Sequence, residues 1–276
     1  MSYRRRHVKT KIYKLRKSGK PIIKKPVFGI AVLFLIVVFA FFYAVIFFPY
    51  FQVKNIITLG SEKTQDKDIQ ELVYSQISQK IISAGNWKLE SKSIFLVSSK
   101  NLNKEILNKF PIIKNVKINK RLPQTLELEI TEREPLGLFC NSKDECFLID
   151  QSGIIFESSL KISNNMFVIR KLADSKQVFV GERVVAENIM AIISKIENGL
   201  KNNFQINIEE VLVSNPLRLD VKTDEKWQIY FDLSPDSDIN MQIAKMNILL
   251  RDEILEKDRK NIKYIDLRFK DKAYYK

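Results

Sequence analysis

Histidine is almost missing from this 276-residue chain: the one present is His7. Serine–histidine–acid and cysteine–histidine machinery needs an imidazole to take the nucleophile's proton, so nothing after residue 7 can assemble it. Cysteine is nearly as scarce. Cys140 and Cys146, with no histidine beside them, are too few soft ligands for a structural zinc site. No nucleotide-binding loop is found. An S-x-x-K spacing does occur at Ser158-Ser159-Leu160-Lys161, followed by S-x-N at Ser163-Asn164-Asn165, but no K-T-G accompanies them. The serine follows a strand rather than opening a long helix, and two short matches are expected by chance in a chain rich in Ser, Lys and Asn. Catalytic, cofactor-binding and metal-binding residues are therefore expected to be absent.

Acidic residues are also missing from the first 25 positions, where eleven cations run from Arg4 to Lys25. Directly behind them stands Val27 to Phe48, twenty-two residues without a charge or a side-chain amide. A helix of that length reaches roughly 33 Å, enough for a hydrocarbon core of about 30 Å. It is too long for the apolar part of a signal peptide and closes on Pro49, Tyr50 and Phe51 rather than on small residues. A retained membrane span follows, and the cation asymmetry leaves the N-terminus cytoplasmic and sends the chain from about Pro49 across the membrane.

Of the formal +14, the tail holds eleven, so the rest has 35 basic and 32 acidic side chains, a net of +3. That balance calls for no nucleic acid, and basic residues beside a span set topology and attract anionic lipid. Some 225 residues follow the anchor, room for two cored domains.

In the first, Val53, Ile57 and Leu59 alternate and Gly60 breaks the run, predicting a strand. Thr64 is positioned to cap a helix with Ile69, Leu72, Val73 and Ile77 on one face, and Ser83 to Ser93 reads as a polar loop. Ser99 is positioned to cap a second helix bearing Leu102, Ile106 and Leu107, ending near Lys109 because Pro111 follows. Val116 and Ile118, then Leu126, Leu128 and Ile130, alternate with polar residues on either side of an Arg121-Leu122-Pro123-Gln124 turn, predicting two paired strands.

The second opens on Leu136 to Cys140 and Cys146 to Phe156, with Asp150-Gln151-Ser152-Gly153 as a type I turn. Cys140 and Cys146 flank a hairpin loop, and outside the cytoplasm either a disulfide or two free thiols suits them. Asp144, Glu145, Asp224 and Glu225 read as solvated loop residues. An amphipathic helix carries Ile189, Ile192, Ile193, Ile196 and Leu200. Strands are predicted at Glu210 to Val213, Leu217 to Val221 and Trp227 to Leu233. A last helix presents Ile239, Ile243, Met246, Leu249, Leu250 and Ile254, and a closing strand runs from Ile262 to Phe269. Ile265, Leu267 and Phe269 fall on its buried face and Tyr264, Asp266 and Arg268 on the other. A final strand is expected at a sheet edge, guarded by Lys260, Lys263, Lys270 and Lys272 and open to a strand from another chain.

Strand, helix, helix, strand, strand behind a single basic-flanked span is the order of a POTRA domain. The Phe51/Val53/Ile56/Gly60 opening, Phe110-Pro111-Ile112-Ile113-Lys114-Asn115-Val116, the run from Leu122-Pro123 to Glu132-Arg133-Glu134-Pro135, the Ile149-Asp150-x-x-Gly153 hairpin and Tyr264-Ile265-Asp266-Leu267-Arg268-Phe269 together resemble the bacterial cell-division family FtsQ, called DivIB in some bacteria. The resemblance runs to the last residue. It implies an α+β chain: a cytoplasmic tail over 1–26, a transmembrane helix over 27–50, a POTRA domain (β-α-α-β-β) over 51–134 and a mainly antiparallel β domain with helices over 135–276. It also implies a non-enzymatic divisome scaffold, at the division site of the cell membrane, that joins FtsB-like and FtsL-like proteins and helps regulate septal peptidoglycan synthesis. Tyr264, Arg268 and Phe269 on the closing strand are the implied partner-binding residues. An anchored cell-wall enzyme or its regulator is the alternative. The POTRA-bearing outer-membrane insertases fit less well, because no run of ten-residue lipid-facing strands follows Pro135.

Overall fold

The computed structural model describes residues 26–84, 87–159, 166–171, 177–215 and 217–276. The basic tail with His7, Gly85-Asn86 and the segment holding Lys161 and Ser163 to Asn165 lie outside those residues; Ser158 lies on a strand.

Helix α1 covers Pro26–Phe47, with its proline in the first turn, where the missing N–H is no loss. Val27–Phe47 is long and apolar enough to cross a membrane, and its side chains are exposed all round. That is the surface of an element whose solvent is lipid.

A 3-10 turn at Pro49–Phe51 leads into β1 (Asn55–Leu59), α2 (Asp66–Ile77), β2 (Gln79–Ala84), β3 (Trp87–Ser91), α3 (Ser99–Lys109), β4 (Ile113–Arg121) and β5 (Thr125–Glu132). The sheet order is β1-β5-β4, with β1 parallel to β5 and β4 antiparallel to it. Ile69 and Val73 of α2 and Leu102 and Ile106 of α3 pack with Val116, Leu126, Leu128 and Ile130 of the sheet in one buried cluster. The expected strand–helix–helix–strand–strand order is present.

Several local expectations are corrected. Of the stretch expected to be a polar loop, Ser83-Ala84 and Trp87 to Ser91 are strand: β2 and β3 pair antiparallel from Gln79↔Ser91 to Ala84↔Trp87. Backbone pairing satisfies a ribbon without demanding apolar alternation, so polar composition concealed it. In β1 the buried residue is Ile56, opposite Leu126, whereas Ile57 and Leu59 are exposed. Val53 is buried too, but it precedes the strand, so its spacing to Ile57 carries no strand period. Gln65, not Thr64, stands at the α2 N-cap, and Ser98, not Ser99, caps α3 by accepting from Asn101 N.

The remaining elements are β6 (Gly137–Cys140), β7 (Cys146–Ile149), β8 (Ile155–Ser159), β9 (Val168–Lys171), α4 (Glu187–Phe204), β10 (Ile208–Asn215), β11 (Arg218–Thr223), β12 (Gln228–Asp232), α5 (Ile239–Ile248), β13 (Tyr264–Asp266) and β14 (Tyr274–Tyr275). They form a nine-stranded sheet ordered β14-β13-β12-β11-β10-β9-β6-β7-β8. Most pairs are antiparallel; β6–β9, β9–β10 and β12–β13 are parallel. Met190, Ile193, Ile196 and Leu200 of α4 and Met246 of α5 bury against Val211, Leu219, Ile229 and Phe231. Between β7 and β8, Asp150 Oδ1 accepts from Ser152 N and Ile154 N, which fixes the predicted turn. Gly153 sits there at φ +76°, and a Cβ would run into the Val185 carbonyl, so no other residue serves.

Candidate partner-binding edge

Strand β13 has only three residues because its chain leaves the sheet after Asp266. On one side it pairs in parallel with β12, Tyr264 opposite Gln228 and Asp266 opposite Tyr230. On the other, the chain returns as β14, with Ile265 opposite Tyr275 and Asp266 opposite Tyr274. The outermost strand is therefore β14, which corrects the expectation that Tyr264 to Phe269 form the free edge. Lys276 N donates to Tyr264 O at 3.2 Å, and Lys276 O accepts from Lys263 N and, at 3.4 Å, from Tyr264 N. The turn between the strands is gathered by Lys245 of α5, whose Nζ donates to the carbonyls of Leu267 (3.2 Å), Phe269 (2.5 Å), Lys270 (3.4 Å) and Lys272 (3.4 Å). Burial pulls the Lys245 ammonium below the ordinary lysine range, against the opposing fields of Asp271 and Asp266.

Tyr264 is half-buried and stacks on Tyr230, ring centroids 5.8 Å apart. Arg268 donates through Nε (2.9 Å) and Nη2 (2.6 Å) to the two carboxylate oxygens of Asp266. Its guanidinium also lies 5.6 Å from the Tyr230 centroid, and that of Arg218 lies 4.9 Å from the same ring. Burial alone would raise the Asp266 carboxyl; the Arg268 hydrogen bonds and the Arg218 charge outweigh it and hold the group below the usual carboxylate range. An incoming carboxylate thus meets an Arg268 already shared with Asp266.

Phe269 is 49% exposed and meets Tyr274 edge-on at 4.9 Å. The expectation that it lies on the buried face is corrected: Ile265 and Leu267 are fully buried, but alternation cannot be extended past the end of a three-residue strand. Beside these residues opens a cleft of about 580 Å3, lined among others by Met241, Lys245, Arg268 and Phe269 with Asp236 and Asp238 at α5's start. Sequence reasoning missed Tyr230, Tyr274 and Tyr275. The last two carried a signal, a β-prone aromatic pair behind a polar turn.

Cys140 and Cys146 face each other across β6 and β7 and are joined by a disulfide, Cα atoms 4.1 Å apart. Four strands separate them from β13, so they are not part of this edge. No group of three or more His, Cys, Asp or Glu placed to hold a metal occurs among the described residues. The arrangement offers backbone pairing, flat aromatic contact and charge, which is the chemistry of binding.

Comparison with known proteins identifies both units. Residues 74–133 match the model of the POTRA domain, FtsQ-type, and residues 139–268 match that of the cell division protein FtsQ/DivIB C-terminal region. The chain is 24% identical over 229 residues to a cell division protein DivIB of Clostridium acetobutylicum, covering 82% of this chain and 83% of that one. It is 26% identical over 264 residues to a DivIB of Clostridium botulinum (93% and 91% covered) and 24% identical over 282 residues to a cell division protein FtsQ of Rickettsia felis (96% and 93%). With an apolar anchor helix, an FtsQ-type POTRA unit and an FtsQ/DivIB C-terminal unit in the same order along one chain, the protein belongs to the FtsQ/DivIB family of cell division proteins.

Proposed function

We propose that this chain is a non-catalytic scaffold of the division machinery: a single-span protein with residues 1–26 in the cytoplasm, 27–50 in the membrane, and a POTRA domain (51–134) and β domain (135–276) outside. It receives an extended strand from an FtsB-like protein along β13, joins an FtsL-like protein in the same complex, and through them helps regulate septal peptidoglycan synthesis. The division role of its relatives supports this reading. The observation that carries it is the weakly covered end of the sheet: β13 is shielded by a two-residue strand whose tyrosines are each 48% exposed. Such an edge suits strand addition, because main-chain pairing supplies affinity and alternate side chains supply specificity. Tyr264 and Phe269 give apolar contact, and Arg268 exchanges part of its Asp266 pairing for a partner carboxylate.

The test measures binding of the cognate FtsB-like protein's exported part to the intact chain and to Tyr264→Ala, Arg268→Glu and Phe269→Ala, with circular dichroism as a folding control. Loss of a central anchor costs about 2 kcal/mol, roughly 30-fold in Kd. Three folded variants that bind like the parent would place the site elsewhere. A reporter fused after Lys276 tests orientation: it must be shielded from cytoplasmic enzymes in intact cells.

A further inference from the structure

The last carbonyls of a helix have no partner within it. At the end of α1 two of them are taken by side chains from the unit that spans β1 to β5, built on the three-stranded sheet and including the β2–β3 ribbon: Gln52 before β1, Ser91 at the end of β3 and Ser93 just after it. Gln52 Nε2 donates to Ile46 O at 2.8 Å, Ser91 Oγ donates to the same oxygen at 2.5 Å, and Ser93 Oγ donates to Val45 O at 2.9 Å. Ser91 and Ser93 are both buried, and the segments that carry them are tied together: Lys92 N donates to Gln52 Oε1 at 2.7 Å, and Ile94 N to Phe51 O at 2.9 Å. The anchor is therefore gripped at its end as well as joined covalently.

That grip fixes which end of the sheet faces the bilayer. Lys54 N donates to Gln124 O at 2.9 Å and Asn55 lies opposite Thr125, so the β4–β5 turn stands beside the start of β1, next to the end of α1. Exposed apolar side chains gather at this end: Phe48, Tyr50 and Phe95, with Phe51 meeting Phe95 edge-on at 5.5 Å, and Leu122, 62% exposed at the turn. Lys54, Lys92 and Lys120 are exposed among them. Aromatic rings with lysines at the mouth of a span are suited to the headgroup layer, the rings at the acyl boundary and the ammonium groups on phosphates.

We propose that the unit spanning β1 to β5 is seated on the bilayer, its Phe48, Tyr50, Phe95 and Leu122 in the headgroup region of the leaflet where α1 emerges, and that the Gln52–Ser91–Ser93 grip makes anchor and unit one body. The occupant of this surface is phospholipid. The proposal rests on α1 crossing the membrane, so its test carries a separate reporter for that.

Single nitroxides at Phe39→Cys, Phe95→Cys, Leu122→Cys and Glu62→Cys are placed in the full chain, oxidised at Cys140–Cys146, in nanodiscs of phosphatidylcholine and phosphatidylglycerol. Glu62 lies past the far end of β1, about 15 Å or more along the strand direction at roughly 3.3 Å per residue. Collision with oxygen, which concentrates in the acyl region, is compared with collision with a water-confined nickel chelate. Phe39 is expected to read deep, Phe95 and Leu122 shallow but lipid-shielded, and Glu62 aqueous. If Phe95 and Leu122 match Glu62 while Phe39 reads deep, the seating is wrong and the anchor stands; if Phe39 is aqueous, both readings fall. In Ser91→Ala/Ser93→Ala the Phe95 signal is expected to move severalfold toward the aqueous value with Phe39 unchanged. A Phe95 signal that stays put would sink the grip.

Discussion

Arg133 Nη1 lies 2.5 Å from Asp150 Oδ2, joining the corner that ends β5 to the turn between β7 and β8. Arg133 Nε donates to Pro111 O at 2.9 Å as well, so three stretches distant in sequence converge on one guanidinium. Both side chains are nearly enclosed, at 12% and 4% exposure, and breaking such a pair leaves an uncompensated charge, which costs about 3–5 kcal/mol. Arg133→Met is therefore expected to lower stability in denaturant titration of the full chain in detergent. The comparison is Lys117→Met, which breaks the exposed Lys117–Glu129 pair and is expected to cost about 1 kcal/mol or less. Equal effects would mean the junction carries no special weight.

Glu132 gives the fold a dependence on acid. Its carboxylate accepts from Thr64 N at 2.9 Å and from Lys63 N at 3.1 and 3.2 Å, holding the approach to α2. Burial pushes this carboxyl up, but the backbone N–H groups of Thr64 and Lys63 outweigh it, and the group lies below the ordinary value of 4.5. The folded state thus binds this proton less readily than the unfolded chain. Its stabilisation is present above 4.5 and is lost as pH falls through the lower folded value. Unfolding free energy of the parent is expected to drop more steeply than that of Glu132→Gln as pH is taken below 4.5, and parallel curves would show that Glu132 has no part.

Periodicity makes the large elements readable in the sequence. Leu126, Leu128 and Ile130 on β5, Ile193, Ile196 and Leu200 on α4 and the Asp150 to Gly153 turn all follow from local pattern and turn chemistry, whereas the buried Met190 falls outside the face that the isoleucines mark. What escaped is set by neighbours far along the chain. Strand β9 has four residues and runs parallel to both β6 and β10, so nothing local marks it. Asp144, Glu145 and Asp224 are exposed, as their reading as solvated loop residues expects, and what the pattern does not show is pairing: Asp144 with Arg170 at 2.8 Å, Asp224 with Asn207 Nδ2 at 2.8 Å, and the half-buried Glu225 accepting from Trp227 Nε1 at 2.9 Å. The placement of the sheet's outer end is not legible, because a two-residue strand such as β14 is too short to show a period.

The disulfide closes a tight hairpin, with six positions separating Cys140 from Cys146. By loop-closure entropy a link of that span contributes about 2 kcal/mol, since short loops constrain the unfolded chain least. Protein taken from cells without reduction is expected to weigh two hydrogens less than its reduced form, and reduction is expected to lower stability by about that amount. Two freely alkylated thiols in the native protein would show that the bond does not form there.

The returning tail makes the clearest demand on the partner edge. β14 contributes two residues, three backbone contacts from Lys276 and the Phe269–Tyr274 ring contact, and both of its tyrosines face solvent in part. Elements with so few buried contacts open at low free-energy cost, so a partner strand seeking β13 competes with β14 rather than with the core. Each backbone hydrogen bond that β14 gives up is worth about 0.5–1.5 kcal/mol net, and the incoming strand replaces it. Deleting residues 272–276 removes the competitor while leaving Tyr264, Arg268 and Phe269 in place, and with it the carbonyl of Lys272, one of four that meet Lys245. Affinity for the FtsB-like strand is expected to rise about tenfold, the effect of removing about 1.4 kcal/mol of competition. Weaker binding by the folded truncation would mean that β14 itself, through Tyr274 and Tyr275, is the strand that receives the partner.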